Sequence, residues 1–383
     1  MSFFRSRWVD APAGVVELEP TALAPGFRAA GVPAGLKASG GTDVGLVVCD
    51  APDPTSALLL TRNAAAAAPI RVCRERCDSG RVRAAVVNSG NANAATGEQG
   101  YRDAVAMQDR AAAALGLEPG SVAVAETGTI GVPLRMEGLL EGIDACAAAL
   151  DGGGGADFSA AIMTTDRGPK RCALRAGGVT ISAQAKGAGM IEPGFATMLC
   201  FVQTDAHVPD ADRLLRGAVA SSFERITVDG QMSTNDTVLL QASGASGEEL
   251  PDGLLDAVLL QLALEIVADG EGATRSGRIE VRGAASAGEA ERAARAIGNS
   301  PLVKTALYGR DPNWGRIAQA AGMALAGEEL HELGPDDIDA DELGSDQPEA
   351  EISIDLGRGD CSAAVYFSDL GHGYVDLNAE YTT

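Results

Sequence analysis

Short apolar runs alternate along this chain with stretches in which apolar residues recur every three or four positions, and the alternation predicts an α/β fold. GLVVCD (45–50), RAAVVNSG (83–90) and SVAVAETG (121–128) have strand length and end in polar turns. Between the last two, YRDAVAMQDRAAAALG (101–116) is alanine-rich and stops at Gly116, the signature of a glycine-closed helix. Another helix is predicted to open at Pro133, with Leu134, Leu139, Leu140 and Ile143 on its apolar face, and to break at DGGGG (151–155), read as a loop tip. That glycine run lacks the Lys-Ser/Thr ending of a phosphate-binding loop. Further on, helices are expected at 210–222 and 251–268. SAGEAERAARAIG (286–298) carries the Ser286/Glu289 spacing of a capping box. Strands are expected at 278–283, 350–356, 363–368 and 374–380, and the acidic, turn-rich stretch 327–350 reads as an exposed connection. No repeat of solenoid length occurs.

Composition narrows the class. Of 383 residues 46% are apolar, enough for a buried core and against disorder. The net charge of −23 excludes non-specific nucleic-acid binding, which needs basic surface. The charge is uneven: residues 1–196 carry 18 Lys+Arg against 20 Asp+Glu, and residues 197–383 carry 12 against 33. A solvated acidic face on the second half accounts for this. The opening MSFFRSRWVDAPAGVV holds no apolar run of signal-peptide length and no stretch approaches a membrane span, so a cytoplasmic location without membrane association is expected. Seven scattered cysteines fit reduced thiols, and the close pair Cys73 and Cys77 has no further ligand cluster to make a zinc site.

The chemistry is constrained first by what is scarce. There are three histidines, His207, His331 and His372, and no G-x-S-x-G elbow for a Ser-His-Asp system. An acyl-transfer enzyme built from this chain needs a base other than imidazole. In AKGAGMIEPGFATMLCFVQTDA (185–206) a glycine-rich run leads into an apolar strand with Thr197 at the junction. If the Ala196–Thr197 peptide were cut, Thr197 would carry its own base: an α-amine has a reference pKa of about 7.7–8.0. By itself an Ala-Thr step at a strand entry is unremarkable and far more often an ordinary junction.

The wider sequence resembles the ornithine acetyltransferase family, the bifunctional glutamate N-acetyltransferases of arginine biosynthesis. The resemblance runs from GFRAAGVPAGLK (26–37) to NAEYTT (378–383). Between these lie NSGNANAATG (88–97), TGTIG (127–131), MTTD (163–166), KGAGMI (186–191), ATML (196–199), ITVDGQMSTNDT (226–237), DGEGATR (269–275) and SPLVKTALYGRDPNWGRI (300–317). It implies self-cleavage between Ala196 and Thr197 into chains 1–196 and 197–383. Thr197 then takes an acetyl group from N-acetylornithine and passes it to glutamate. The implied oxyanion donors are Thr127 and Gly128, and the implied substrate-binding residues are Thr164, Lys186, Thr197, Glu271, Asn378 and Thr383. In that role Lys186 would hold an α-carboxylate and Glu271 an ornithine ammonium. No cofactor or metal is implied, although acetyl-CoA is a conceivable second acyl donor. The implied architecture is a layered α/β/β/α sandwich shared by both chains, with a smaller C-terminal α/β portion from about 285. The two fragments would be each other's partners, and such pairs would assemble further, as a heterotetramer.

NSGNANA and DPNWGR read mainly as structural blocks, the latter with Trp314 packed and Arg316 tying down carbonyls or a carboxylate. Several positions depart from the family pattern. Glu126 replaces a small residue before the Thr127-Gly128 pair, Ala95 a cysteine and Gln231 an acid. Gly371-His372-Gly373 replaces a more polar, tyrosine-rich stretch, and the acidic connection is shorter. These departures leave room for a paralogue with another acyl acceptor. An N-terminal-threonine hydrolase and an uncut binding protein are separate alternatives, the latter opposed by the intact Thr197, Lys186 and Thr127-Gly128 set.

Overall fold

The computed structural model describes residues 2–192 and 198–380. The first half contains Val15–Glu17 (β1), Phe27–Val32 (β2), Val44–Cys49 (β3), Thr55–Leu60 (β4), Ala68–Arg76 (α1) and Ala84–Asn91 (β5). Gly97–Leu115 (α2), Val122–Thr129 (β6), Met136–Ala149 (α3), Gly155–Ala161 (α4), Lys170–Ala176 (β7) and Val179–Lys186 (β8) follow. Then come Leu199–Thr204 (β9), Ala211–Ser221 (α5), Ile226–Thr227 (β10), Thr237–Ala242 (β11) and Leu254–Ala268 (α6). The chain continues through Ser276–Ala284 (β12), Ala287–Asn299 (α7), Pro301–Gly309 (α8) and Trp314–Ala324 (α9). Ile338–Asp339 (β13), Glu349–Asp355 (β14), Cys361–Ser368 (β15) and His372–Glu380 (α10) complete it. The architecture is mixed α/β, as the alternating pattern predicts.

Three sheets organise these elements, in the orders β1-β7-β8-β9-β11-β4, β2-β3-β5-β6 and β10-β15-β12-β14-β13. β9 shows how the first two meet. All six of its residues are buried, and successive side chains point to opposite faces. Cys200 and Val202 share a core with α5 and α6, whereas Leu199 and Phe201 share another with the four-stranded sheet and α1 to α3. Phe201 meets Phe158 of α4 edge-on, with ring centroids 5.2 Å apart. A third core gathers β12, β14, β15 and helices α7 to α9.

The helix ends follow local chemistry. α2 stops at Gly116 in the left-handed conformation (φ 65°). Ser286 caps α7 by accepting the Glu289 N–H at 3.2 Å, while Glu289 reaches back to the Ala285 N–H, one residue beyond the box partner.

Four expectations need correction. α3 starts at Met136, because Asn91 Nδ2 donates to the carbonyls of Val132 and Pro133 and holds them outside the helix. The DGGGG run is no free tip: Asp151 pairs with Ala29, and Gly155 opens α4. Within 327–350, Ile338, Ala340 and Leu343 belong to the third core. Residues 374–380 form part of α10, not a strand. The period-two look of YVDL misleads there, because the segment pairs with no sheet and places Tyr374 and Asn378, four apart, on one helical face.

Candidate active site

One cavity is lined by Thr127, Gly128, Thr164, Lys186, Glu271 and Asn378, every predicted site residue that the structure describes. Ala196, Thr197 and Thr383, the predicted cleavage pair and chain-end residue, lie outside the described residues.

Thr127 and Gly128 sit near the end of β6, where its parallel pairing with β5 becomes irregular around Gly90 and Asn91. Gly128 has φ 133°, and a Cβ there would lie 2.3 Å from the carbonyl carbon of Gly90. Only glycine fits so close an approach. Asn235 braces the same corner from the other side, its amide donating to the carbonyls of Ala92 (2.7 Å) and Glu126 (3.0 Å). The NSGNANAATG block is thus the wall on which this turn rests, with Asn93 and Ala95 both at positive φ.

Lys186 ends β8, buried, with Nζ donating to Thr127 Oγ1 at 3.2 Å. Burial pulls its pKa below the ordinary lysine value, while Asp166, Glu271 and Asp236 oppose the drop. The Asp166 side chain is buried beside it. Despite that burial, the ammoniums of Lys186 and Lys170 and the Gly187 N–H hold its carboxyl down to about 2. The cavity therefore has a cationic floor with a fixed counter-charge beneath it, suited to an incoming carboxylate.

Glu271 faces that floor. Its carboxylate accepts from Thr165 Oγ1 (2.9 Å) and from Asn378 Nδ2 of α10 (2.9 Å). α10 reaches this place by a glycine contact: a Cβ on Gly272 (φ 69°) would lie 2.1 Å from the Tyr374 nitrogen. Tyr374 then turns toward Asp229, and burial, followed by the Asp229 and Glu271 charges, pushes its phenol up to about 12. Thr165, Asp229, Asn235 and Tyr374 escaped the sequence reading as site residues. Asp229 and Asn235 stand inside the quoted ITVDGQMSTNDT block, whereas Tyr374 was hidden by the strand expectation.

Glu126, the departure beside the oxyanion pair, points away from the cavity. It is fully buried and accepts from Asn93 Nδ2 at 2.9 Å, with its second oxygen unpartnered among the described residues. Burial pushes its carboxyl up to about 8. Burial thus favours the neutral acid behind Thr127. Trp314 also departs from expectation, being 40% exposed at the start of α9, while Arg316 does tie down the Leu302 carbonyl at 2.8 Å.

A chain with these blocks around one cavity can be placed among known proteins. The family model described as "ArgJ family" matches residues 28–383. The chain belongs to the ArgJ family. The arginine biosynthesis bifunctional protein ArgJ of Mycolicibacterium paratuberculosis is 44% identical over 99% of this chain and 97% of its own length. That of Geobacter sulfurreducens is 46% identical over 94% and 99% respectively. A solved structure of ornithine acetyltransferase complexed with ornithine, from Mycobacterium tuberculosis, is 40% identical over 47% of this chain and 98% of its own, with a TM-score of 0.44. ArgJ-family membership makes this chain an acyltransferase of the arginine-biosynthesis type. No helix among the described residues is long and apolar enough to cross a membrane.

Proposed function

We propose that this ArgJ-family chain moves an acetyl group from N-acetylornithine to glutamate through an acetyl-Thr197 ester, after cutting itself at Ala196–Thr197. In the cut, Thr197 Oγ bonds to the Ala196 carbonyl carbon, the C–N bond breaks, and the hydroxyl proton ends on the new amine. Water then hydrolyses the ester to free Ala196 carboxylate and Thr197 hydroxyl. The freed α-amine serves as base when Thr197 Oγ attacks the N-acetyl carbonyl, and it returns the proton to the departing ornithine nitrogen. Glutamate reverses these steps as the second substrate. Thr127 and the Gly128 N–H would hold the oxyanion, Lys186 the substrate carboxylate, and Glu271 with Asn378 the ornithine ammonium. Thr164 and Thr383 would complete the substrate contacts.

The observation that supports this reading best is the convergence of Thr127, Gly128, Thr164, Lys186, Glu271 and Asn378 on one cavity. β8 ends and β9 begins on either side of the proposed cut and pair antiparallel, so both fragments would stay in one layered α/β/β/α body. Oligomers of such pairs, a cytoplasmic location, catalysis without a cofactor, and acetyl-CoA as a second donor belong to the same proposal.

The test is to incubate purified protein with N-acetylornithine, with and without glutamate. Glutamate-dependent appearance of N-acetylglutamate and ornithine supports transfer; glutamate-independent release of acetate would replace it with hydrolysis. Intact mass of the active protein tests the cut, and active protein holding only full-length chain would sink the free-amine mechanism.

A further inference from the structure

The connection from β10 to β11, residues 228–236, touches the chain on both sides of the proposed cut. At its start, the Val228 N–H donates to the Ile191 carbonyl at 2.9 Å. Asp229 then uses both carboxylate oxygens, Oδ2 accepting the Met190 N–H at 2.6 Å and Oδ1 the Ile191 N–H at 2.9 Å. Met190 is held at φ 58°, a conformation that costs a non-glycine residue stability and must be imposed from outside. Glu192 is fixed as well, accepting from Asn299 Nδ2 at 3.0 Å and pairing with Arg295 at 3.4 Å.

At the far end of the same connection, Asp236 Oδ1 accepts the Met198 N–H at 3.0 Å, and the Thr237 N–H donates to the Met198 carbonyl at 3.1 Å. Asp236 is completely buried, and its Oδ2 has no hydrogen-bond partner among the described residues. Burying a carboxyl group this way is costly. The two carboxylates stand seven positions apart in sequence and grip backbone groups at 190–191 and at 198. β10 belongs to the five-stranded sheet and β11 to the six-stranded one, so the grip is referenced to both.

We propose that the 228–236 connection is the template for self-processing, with Asp229 and Asp236 as positioning residues that fix the backbone upstream and downstream of the Ala196–Thr197 bond. The proposal rests on the reading that the chain cuts itself there. An intramolecular acyl shift depends steeply on the approach of hydroxyl to carbonyl, and a misplacement of about 1 Å can cost on the order of a hundredfold. Fixing the backbone at 190–191 and at 198 would favour that approach. Neither aspartate needs to touch the reacting atoms for this.

The experiment follows conversion of full-length chain to two fragments by intact mass, after pulse synthesis, for wild type, T197A, D229A, D236A and D236N. Wild type is expected to cut and T197A to remain whole. D229A and D236A are expected to convert roughly 10- to 100-fold more slowly while still melting cooperatively. D236N is expected to recover to within several-fold of wild type, because its amide oxygen can still accept the Met198 N–H. Should an alanine variant fail to fold, D229N decides, since it leaves one carbonyl oxygen for the N–H groups of Met190, Ile191 and Gln231: slowed conversion supports the template. Wild-type conversion in folded D229A and D236A, or in D229N, overturns it. An uncut wild type would instead overturn the self-cleavage reading.

Discussion

Glu126 and Thr127 are neighbours on one strand with opposite fates. Thr127 faces the cavity and receives the Lys186 ammonium, whereas Glu126 faces Asn93 beneath α2. Removing the Thr127 hydroxyl as T127A is expected to lower kcat about a hundred- to a thousandfold, with T127S retaining most of the activity; steady-state kinetics measure both. The Glu126 carboxyl, pushed up to about 8 by burial, makes a separate prediction. Between the ordinary glutamate value and that figure the folded protein binds a proton that the unfolded chain does not. Stability from this group is therefore complete at low pH and lost as pH rises toward 8. E126Q, which cannot ionise, is expected to flatten that slope. Relative to wild type it should gain on the order of a few kcal/mol between pH 5 and pH 8. Parallel melting curves at the two pH values check this, and identical pH slopes would show that Glu126 is ionised in the fold.

At the scale of elements, α10 contributes to the site without contributing to a core. None of its residues is buried, yet it delivers Tyr374 and Asn378 to the cavity and rests on Gly272. An added methyl at Gly272 would displace the Tyr374 backbone. G272A is therefore expected to raise KM for N-acetylornithine about tenfold or more. The accompanying stability loss should be roughly the 1–2 kcal/mol of an alanine forced to the left-handed region. N378A removes two exposed hydrogen bonds, to the Glu271 carboxylate and to the Tyr374 carbonyl, and its expected effect is a several-fold rise in KM with little change in melting temperature. Kinetics beside thermal melts distinguish these outcomes, and unchanged KM in both variants would remove α10 from the substrate site.

Across the whole molecule, the proposed cut falls between two strands of one sheet. β8 and β9 pair from Ile181 with Thr204 to Lys186 with Leu199, and both are buried on both faces. Severing the connection between them leaves the ladder and both adjoining cores intact. Cut protein is expected to run as one species on native size exclusion and to give two chains only in denaturant. Spontaneous separation without denaturant would show that the shared sheet does not hold the halves together.

Local patterns in the sequence determined much of this protein. Alternation of apolar runs set the α/β class, and Gly116 and Ser286 marked helix ends, whereas the residues that line the cavity were implied only by the family resemblance. These signals are local because capping, turn formation and strand alternation act over a few residues. What brings Thr127, Lys186, Glu271 and Asn378 together is not local. It depends on sheet order, on the register of β6 against β5, and on the docking of α10 over Gly272. Alternation places Glu126 and Thr127 on opposite faces, but only the packing of the sheets decides which face meets the cavity. In the same way the sequence displays Asp229 and Asp236 in one block, and tertiary contact alone puts their carboxylates on the backbone at 190–191 and 198.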